Sequence, residues 1–579
     1  MKAGSPMLRC KNLTVRAAGD GPEILSNVDA EFCPRALNAV IGPSGCGKTT
    51  LMKAIMRLIP SSGEAFLDGH PIADPGELAG RVGFAPQFTT AIPQLTVEET
   101  FRTALDLTVP GTEEKNRRLN AVLDITGLGE HREKRVSALS GGQLRRLGLG
   151  VELTLDPACM VCDEVTSGLD PNSESQILEL LRQLVVDRGK TFVCIIHNLA
   201  KLDSFDWVTV IHLGVVIFQG TLPQLLAYFE VPDALRLYDK MNEYSPEFWR
   251  ERWADFLKKN PAHFYWHTAP SSGESSGTPA PAGGTELSRS PGAGMPGLVS
   301  QFITLLRRRF LLFKRDTGYL ALTMAITFGF PLIVVIFAIN GLPNVPEVPL
   351  DRVLASMEAF RQAVEVQRTR MEAGSLASGL IMFQVILLTL MGANNGGREI
   401  AAERTLYEKE RLTGLRPGAY VLSKIVFVSI VACFQGVWMA AFVKGICQFP
   451  GPWDLQLLTM ISVCVSMSIV CLAFSAVMQS AEKASLLSIY LVGFQIPLSG
   501  VVLALPPALV WVCRPFINAY WGWAGFMRSM HAERIYDAYS ETALGMSIAD
   551  SQTANIVLFL QALTGIAFIM AGCFRRRPL

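Results

Sequence analysis

Nine consecutive residues have the composition and spacing of a phosphate-binding loop. They are Gly42, Pro43, Ser44, Gly45, Cys46, Gly47, Lys48, Thr49 and Thr50, and they fit the pattern G-x-x-x-x-G-K-[ST]. The glycines allow backbone N–H groups to face phosphate oxygens, and Lys48 can reach the β- and γ-phosphates. The Thr49 hydroxyl can bind Mg²⁺. The loop alone therefore predicts a bound nucleoside triphosphate and no particular reaction.

The elements that this motif needs are present on both sides of it. The apolar run 37–41 predicts a buried strand, and 48–57 predicts a helix whose N-terminus adds partial positive charge near the phosphates. A helical pattern covers 96–135, and another helix runs from Ser140 to about 154. Strands are also predicted at 8–15, 24–32, 63–68, 81–85, 159–162 and, as the last one, 191–196. This half of the chain is therefore an α/β domain.

Several short motifs follow the loop in a fixed order, and together they resemble the ATP-binding cassette (ABC) ATPases. The matching positions are Gln87 (the Q-loop), 139–143 (the signature sequence), 160–164 (Walker B), 167–170 (the D-loop, with Asp170) and His197 (the switch histidine). The resemblance implies that Asp163 holds Mg²⁺ and that Glu164 orients and polarises the attacking water. It also implies that Gln87 contacts the metal and the water, and that His197 donates to the γ-phosphate.

The signature sequence predicts that two chains work together. By the same resemblance, its residues serve an ATP molecule bound to the phosphate loop of a second cassette: Ser140, Gly141, Gly142 and Gln143. One chain carries one cassette, so a dimer is expected, either a homodimer or a pair with a related half-transporter. One departure from the family is Val165, where a proline is usual, so the turn to the D-loop is less fixed.

The composition divides the chain into four parts. A cassette is predicted over 1–267, followed by a flexible linker rich in Pro, Gly and Ser over 268–297. An amphipathic helix over 298–318 carries a basic cluster of Arg307, Arg308, Arg309, Lys314 and Arg315, which favours contact with anionic membrane lipids. A buried soluble helix is the alternative. A membrane domain fills 319–579.

The membrane domain contains six apolar runs that can cross a bilayer. They lie near 319–340, 375–395, 419–444, 456–478, 484–505 and 553–574. Basic residues at 398–424, at Lys483 and at 575–577 favour a cytosolic N-terminus, cassette and C-terminus in a multi-pass protein of the plasma (inner) membrane. No signal peptide is predicted at 1–11. A separate amphipathic helix is expected at 350–371, and an outer segment at 506–552.

A charged inner segment, 398–411, predicts either a solvated helix or a transmission helix that docks on the cassette. A transmission helix at this position resembles the charged helix after span two in ABC transporters of the G subfamily, of the white and pleiotropic-drug-resistance type. The membrane half also resembles bacterial ABC-2-type permeases. That resemblance implies a slit between two subunits, lined by Phe383, Leu387, Leu388, Met391, Phe494, Val501 and Val502. Contact with lipid or packing between helices explains each of these residues as well as a position in a slit does.

Taken together, the sequence predicts an α/β P-loop ATPase followed by an all-α six-span domain. The predicted function is that of an ATP- and Mg²⁺-dependent half-transporter that exports lipid-like or amphipathic molecules. The alternative is a mechanotransmitter that drives a periplasmic partner without moving a substrate, and an importer is a third option. The net charge of +1 gives no reason to expect a nucleic-acid partner.

Overall fold

The computed structural model of the chain describes residues 8–17, 21–260, 263–264, 295–338, 356–503, 505–542 and 548–575. These residues form two compact units. The first contains the residues up to Thr304 together with Thr405–Arg416. The second contains Leu305–Arg404 and the residues from Pro417 onward. Most of the predicted linker, the first residues of the helix predicted at 350–371 and the arginines at 576 and 577 lie outside the described residues.

The first unit is built on two sheets. Its described strands are β1 (Leu8–Arg16), β2 (Glu23–Glu31), β3 (Leu37–Ile41), β4 (Ser62–Leu67), β5 (His70–Pro71), β6 (Val82–Ala85), β7 (Cys159–Asp163), β8 (Thr191–Ile195), β9 (Trp207–His212) and β10 (Val215–Gly220). The larger sheet has the order β10-β9-β3-β8-β7-β6, and only β9 and β10 pair antiparallel. All residues of β3, β7 and β8 are buried, as expected for central parallel strands covered on both faces.

The smaller sheet is antiparallel and has the order β2-β1-β4-β5. Helices cover the larger sheet. The helices of this unit are α1 (Lys48–Ile55), α2 (Val97–Thr108), α3 (Thr112–Thr126), α4 (Gly141–Leu153), α5 (Pro171–Arg188), α6 (Leu222–Phe229), α7 (Leu237–Met241) and α8 (Pro246–Lys259). The single helical stretch predicted at 96–135 is wrong. Pro110 cannot continue α2, and Gly111 has a φ of +82°, so α3 begins separately at Thr112.

The larger sheet contains two more strands after 191–196, which was predicted to be the last strand. β9 and β10 follow it and form a hairpin. Leu213 and Gly214 make the turn, with φ values of +42° and +83°, which match the twist of the flanking strands. The N–H of Gly214 donates to the carbonyl of Cys46 at 3.0 Å, so this hairpin supports the phosphate loop.

The rest of the chain is helical. Its described helices are α9 (Leu298–Arg315), α10 (Thr317–Ile336), α11 (Ser356–Gly396), α12 (Arg404–Leu412), α13 (Pro417–Cys447), α14 (Trp453–Val477), α15 (Ala481–Ser499), α16 (Pro507–Cys513), α17 (Asn518–Ser529), α18 (Arg534–Thr542) and α19 (Ser551–Phe574). Within the described ranges, five helical segments are long and apolar enough to cross a membrane: α10, the segment Phe360–Leu412 that holds most of α11, α13, α14 and α19.

Two predicted boundaries in this half differ from the structure. The predicted fifth span, 484–505, corresponds to α15, which begins with Glu482 and Lys483 in its first turn and ends before Gly500 at a φ of +74°. These charges reduce its apolarity, and it is not among the five. The second span and the described part of the amphipathic helix, which were predicted separately, form one helix, α11, that continues through Gly374. Gly374 allows the close approach of α18. A Cβ there would lie 2.7 Å from the Tyr539 nitrogen.

The predicted outer segment at 506–552 contains a helix buried in the core of this unit. Tyr520, Trp523, Phe526 and Met527 of α17 are buried among side chains of α11, α14 and α19. The Trp523 indole N–H donates to the Ser378 hydroxyl at 3.1 Å, so its polar group is satisfied. This segment is therefore part of the helical core and not only a connecting loop.

A group of four charges, with Lys424 and Glu399 buried and the other two partly buried, joins three helical segments of the second unit. The Lys424 ammonium contacts Glu399 at 2.9 Å and Glu403 at 2.6 Å, and the Arg309 guanidinium also pairs with Glu399. Arg309 lies at the ring face of Phe427, 4.3 Å from its centroid. Arg309 was predicted to belong to a lipid-binding cluster, but its charge pairs with Glu399 inside the protein.

Replacing Lys424 with methionine should destabilise this unit, because Glu399 and Glu403 would lose a buried positive partner. Breaking a buried ion pair in this way costs about 3–5 kcal/mol. We expect a clearly lower apparent melting temperature of the purified protein in detergent. Lys483→Met is the matched control, since Lys483 is exposed, and it should leave the melting temperature unchanged. Equal melting temperatures for the two variants would contradict a structural role for the charge group.

Candidate active site

Four strand ends bring the predicted polar residues to one edge of the larger sheet. The strands β3, β8, β7 and β6 are adjacent and parallel, so their carboxyl ends lie side by side. The phosphate loop follows β3, Asp163 ends β7, and Gln87 and His197 each follow their strand by two residues. Loops beyond the carboxyl ends of parallel strands are the usual place for a ligand in such a sheet.

The glycines of the phosphate loop are required by its geometry. A Cβ on Gly42 would lie 2.2 Å from the Ile211 carbonyl oxygen and 2.6 Å from the Cys46 sulfur. Gly47 has a φ of +101° and caps α1, and a Cβ on it would lie 2.8 Å from Leu25. The loop therefore curls tightly against its neighbours, and α1 begins directly from it.

The Lys48 ammonium is held over the loop by backbone carbonyls. It donates to Gly42 O at 2.8 Å and to Pro43 O at 3.0 Å. Lys48 is only 5% exposed. Neutral carbonyls are its hydrogen-bond acceptors, so its positive charge is available to an anion. This arrangement suits a phosphate group in the loop.

Two oxygen ligands of the kind that Mg²⁺ prefers lie next to Lys48. The Thr49 hydroxyl donates to a carboxylate oxygen of Asp163 at 3.0 Å. Burial raises the pKa of Asp163, and the bond from Thr49 partly opposes this shift. A hydroxyl and a carboxylate fit a magnesium ion bound to nucleotide phosphates.

Glu164 is held between two polar side chains. Its backbone has a φ of +52°, so the chain turns sharply at the end of β7. The Gln87 side-chain amide donates to one carboxylate oxygen at 2.8 Å. The His197 Nε2 lies 2.5 Å from the other oxygen. The structure therefore brings together the three residues that the sequence assigns to catalysis.

The turn after Glu164 is formed even though Val165 replaces the usual proline. Val165 is buried in the core of the unit, and the Ser167 N–H donates to the Glu164 carbonyl at 3.0 Å. Asp170 then caps α5 by accepting from the N–H groups of Asn172 and Ser173. Its hydrogen bonds, led by that from the Ser173 side chain, lower the pKa of Asp170.

The signature sequence forms a well-capped helix start at the protein surface. Ser140 and Gln143 make reciprocal side-chain bonds to each other's backbone N–H at the start of α4, at 3.3 and 3.0 Å. The Gln143 amide also contacts His131 at 2.8 Å. Ser140 and Gly141 are exposed, and a Cβ on Gly142 would lie 2.9 Å from the Ser173 hydroxyl. The positive end of the α4 dipole is thus accessible from outside.

Sequence reasoning missed residues that support the site from distant parts of the chain. The Tyr238 hydroxyl lies 3.2 Å from both the N–H and the carbonyl of Gly42. Arg145 of α4 donates to the Gln87 carbonyl. Burial raises the pKa of Tyr238 to about 12, so its hydroxyl stays protonated. Neither residue belongs to a local motif, and only the fold places them here.

The predicted slit residues divide into two groups. Leu387, Leu388 and Met391 are buried in the core of their own membrane unit. Their assignment to an open slit is therefore not supported by the single chain, since that face of α11 packs against neighbouring helices. Phe494 and Val502 are 57% and 60% exposed. Phe383 and Val501 are partly exposed, so these four remain candidates.

Comparison with known proteins agrees with this two-part organisation. The family profile described as "ABC transporter" matches residues 25–167, and the one described as "ABC-2 type transporter" matches residues 300–521. The second match, together with the apolar helices, identifies an integral membrane protein.

Three relatives match different shares of the chain. The ABC transporter ATP-binding/permease protein Rv1747 of Mycobacterium tuberculosis is 26% identical over 82% of this chain and 52% of its own length. The chain thus spans about half of that relative. The energy-coupling factor transporter ATP-binding protein EcfA1 of Thermotoga maritima is 33% identical over 40% of this chain and 91% of its own length. ABC transporter G family member 5 of Arabidopsis thaliana is 33% identical over 35% of this chain and 33% of its own length. The chain therefore belongs to the ABC transporter family, with an ATP-binding cassette that precedes an ABC-2 type membrane domain.

Proposed function

We propose that this chain is an ATP-driven half-transporter that works as a dimer and moves lipid-like or amphipathic molecules out of the cytosol. One observation carries the proposal. Glu164 is hydrogen-bonded to Gln87 and paired with His197 at the same sheet edge as Lys48. A carboxylate fixed in this way can orient a water molecule towards a γ-phosphate held by the loop.

Each residue of the site has a distinct task in ATP hydrolysis. Lys48 and the loop N–H groups bind the β- and γ-phosphates, and His197 donates to the γ-phosphate. Glu164 accepts the proton of the attacking water, while Gln87 keeps the carboxylate in place. Thr49 and Asp163 would hold Mg²⁺, which neutralises negative charge on the phosphates when it is bound.

Glu164→Gln should bind ATP normally but slow turnover by about 10²–10⁴-fold, because the amide cannot accept the water proton. The measurements are phosphate release and equilibrium ATP binding on the purified full chain. Glu179→Gln is the control, since Glu179 is an exposed residue on α5, and it should hydrolyse ATP at the original rate. Unchanged turnover in Glu164→Gln would contradict the general-base role.

The exposed start of α4 supports the proposed dimer. Ser140 and Gly141 lie on the surface, where they can reach a nucleotide bound to another chain. Each active site would then combine Lys48 and Glu164 of one subunit with the signature residues of the other. Because both halves are intact in this sequence, a homodimer is the simplest form.

A mixing experiment tests this shared site. Lys48→Ala removes the phosphate contact, and Gly142→Asp places a side chain against Ser173 and a negative charge at the signature loop. Each homodimer should be inactive. Co-expressed chains should recover about a quarter of the original ATPase rate, because half of the dimers are mixed and each contains one unaltered site. No recovery in verified mixed dimers would contradict a site shared between chains.

Several observations support outward transport from the cytosolic face. The chain carries cassette and membrane domain together, like the ATP-binding/permease protein Rv1747. Relatives whose names include import, such as the methionine and phosphonate proteins, match about the length of the cassette only. The basic segment 398–424 favours a cytosolic cassette in the inner membrane.

An exposed apolar stripe on α15 supports a hydrophobic or amphipathic cargo. Leu486, Ile489, Tyr490 and Phe494 recur at helical spacing and are all exposed in the single chain. Such a surface can meet lipid tails or line a slit against a second subunit.

Reconstituted vesicles test the cargo class. The full chain should move a fluorescent short-chain phospholipid between leaflets when MgATP is added, and Glu164→Gln vesicles should show no ATP-dependent movement. The measurement is dithionite quenching of the accessible probe. Efficient ATP turnover with no movement of this probe or of amphipathic dyes would instead favour a mechanotransmitter that needs a periplasmic partner.

A further inference from the structure

A buried ion pair joins the transmission helix to the signature helix. The Lys409 ammonium of α12 lies 2.9 Å from a carboxylate oxygen of Glu152, and the two side chains are 9% and 2% exposed. The predicted helix at 398–411 is shorter in the structure, where Ala401–Glu403 form a 3₁₀ turn before α12. Residues 405–416 belong to the same compact unit as the cassette. A buried charge is costly without its partner, so Lys409 holds α12 to α4 in a defined position.

The second oxygen of Glu152 binds the strand that leads to Gln87. It accepts the N–H of Phe84 in β6 at 3.2 Å, in a buried position. Phe84 precedes Gln87 by three residues. Arg145, two helical turns before Glu152 on α4, donates to the Gln87 carbonyl. The helix α4 therefore fixes the Gln87 segment on both sides, and Lys409 contacts the residue that makes one of these attachments.

We infer that Glu152 is a positioning residue that connects Lys409 of α12 to Gln87 and so to the catalytic Glu164. The inference rests on the proposed function. Gln87 donates to Glu164 at 2.8 Å, so a displacement of β6 changes how the carboxylate is held. In the other direction, movement of Gln87 towards a bound nucleotide pulls through Phe84 and Glu152 on Lys409. The α12 segment continues at Pro417 into α13, so that pull reaches a membrane helix through the chain itself.

A second contact allows the ion pair to be tested by itself. The Gln301 amide is fully buried and donates to Leu107 O at 2.8 Å and Gly414 O at 3.1 Å. Its oxygen accepts the Arg416 N–H at 3.0 Å. These bonds hold the end of the α12 segment without Lys409. Lys409→Met should therefore leave the segment bound to the cassette and remove only the connection to Glu152.

The test uses the full chain with Glu164→Gln in lipid nanodiscs, where ATP binds but is not consumed. Of the twelve cysteines, Cys433 and Cys513 are the two that are partly exposed, and both lie in the membrane unit. Their maleimide labelling rates, resolved by mass spectrometry with and without MgATP, report movement of that unit. We expect ATP to change at least one rate in the Glu164→Gln chain. Adding Lys409→Met should abolish the change while ATP binding stays the same.

Two further variants separate coupling from stability. Lys409→Arg keeps the charge and should retain the ATP response. Lys190→Met removes another buried lysine pair, Lys190 with Asp156 at 2.6 Å, and should lower the melting temperature comparably but retain the response. A response that persists in Lys409→Met overturns the inference and leaves the proposed function intact. If Lys190→Met also loses the ATP-dependent labelling response, the effect of Lys409→Met comes from reduced stability. That result would also overturn the inference. No response in Glu164→Gln itself would contradict the proposed function, and the inference with it.

Discussion

The common carboxyl edge of four parallel strands is the constraint on which the active site depends. Each of these strands is short and mostly apolar, and its polar site residues lie at its carboxyl end or in the loop that follows. Parallel pairing aligns those ends without any direct attraction between the polar groups. Once the sheet forms, Lys48, Asp163 and His197 are close to one another because the strands fix them. The chemistry then needs only small local contacts, such as the bond from Gln87 to Glu164.

In both units, the buried charged side chains described above are paired with side chains of opposite charge. In the cassette, Glu152 accepts the Phe84 N–H and forms an ion pair with Lys409. In the membrane unit, Lys424 is satisfied by two glutamates, one of which also binds Arg309. An isolated charge in such a position would cost several kcal/mol, about 3–5 when one partner is removed, so each pair permits few arrangements of its helices. These pairs therefore define geometry more than they add stability.

Site residues that belong to a local sequence motif could be predicted. Site residues that only the tertiary structure brings to the site could not. The phosphate loop, the Asp163–Glu164 pair and the Ser140 cap each consist of neighbouring residues at fixed spacing, so the sequence reveals them. Tyr238 lies almost two hundred residues from Gly42, and no pattern links the two. The β9–β10 hairpin was missed although both of its strands are apolar and buried, and only the short 3₁₀ turn Leu199–Ser204 separates it from His197.

The membrane unit shows a different limit of sequence reasoning. A spanning helix is apolar on every side, so periodicity does not separate the face that meets lipid from the face that meets protein. The resemblance to G-subfamily transporters assigned Leu388 and Met391 to a slit, and they pack in the core of their own unit. Phe494 was assigned by the same argument and is exposed. Within the described residues, five of the six predicted spans correspond to helices long and apolar enough to cross a membrane, whereas the orientation of each helix depends on packing against its neighbours.

The signature helix α4 connects the separate parts of the cassette. Its first residues present Ser140 at the surface, its middle holds the Gln87 backbone through Arg145, and its last turn holds Lys409 through Glu152. A helix of 13 residues is about 20 Å long, and its backbone hydrogen bonds resist bending over that distance. In the proposed dimer, a phosphate that draws the first turn towards another chain would therefore displace the last turn as well. Because Lys409 is attached there, the inferred coupling would make closure of the nucleotide site and movement of α12 the same motion of one rigid element.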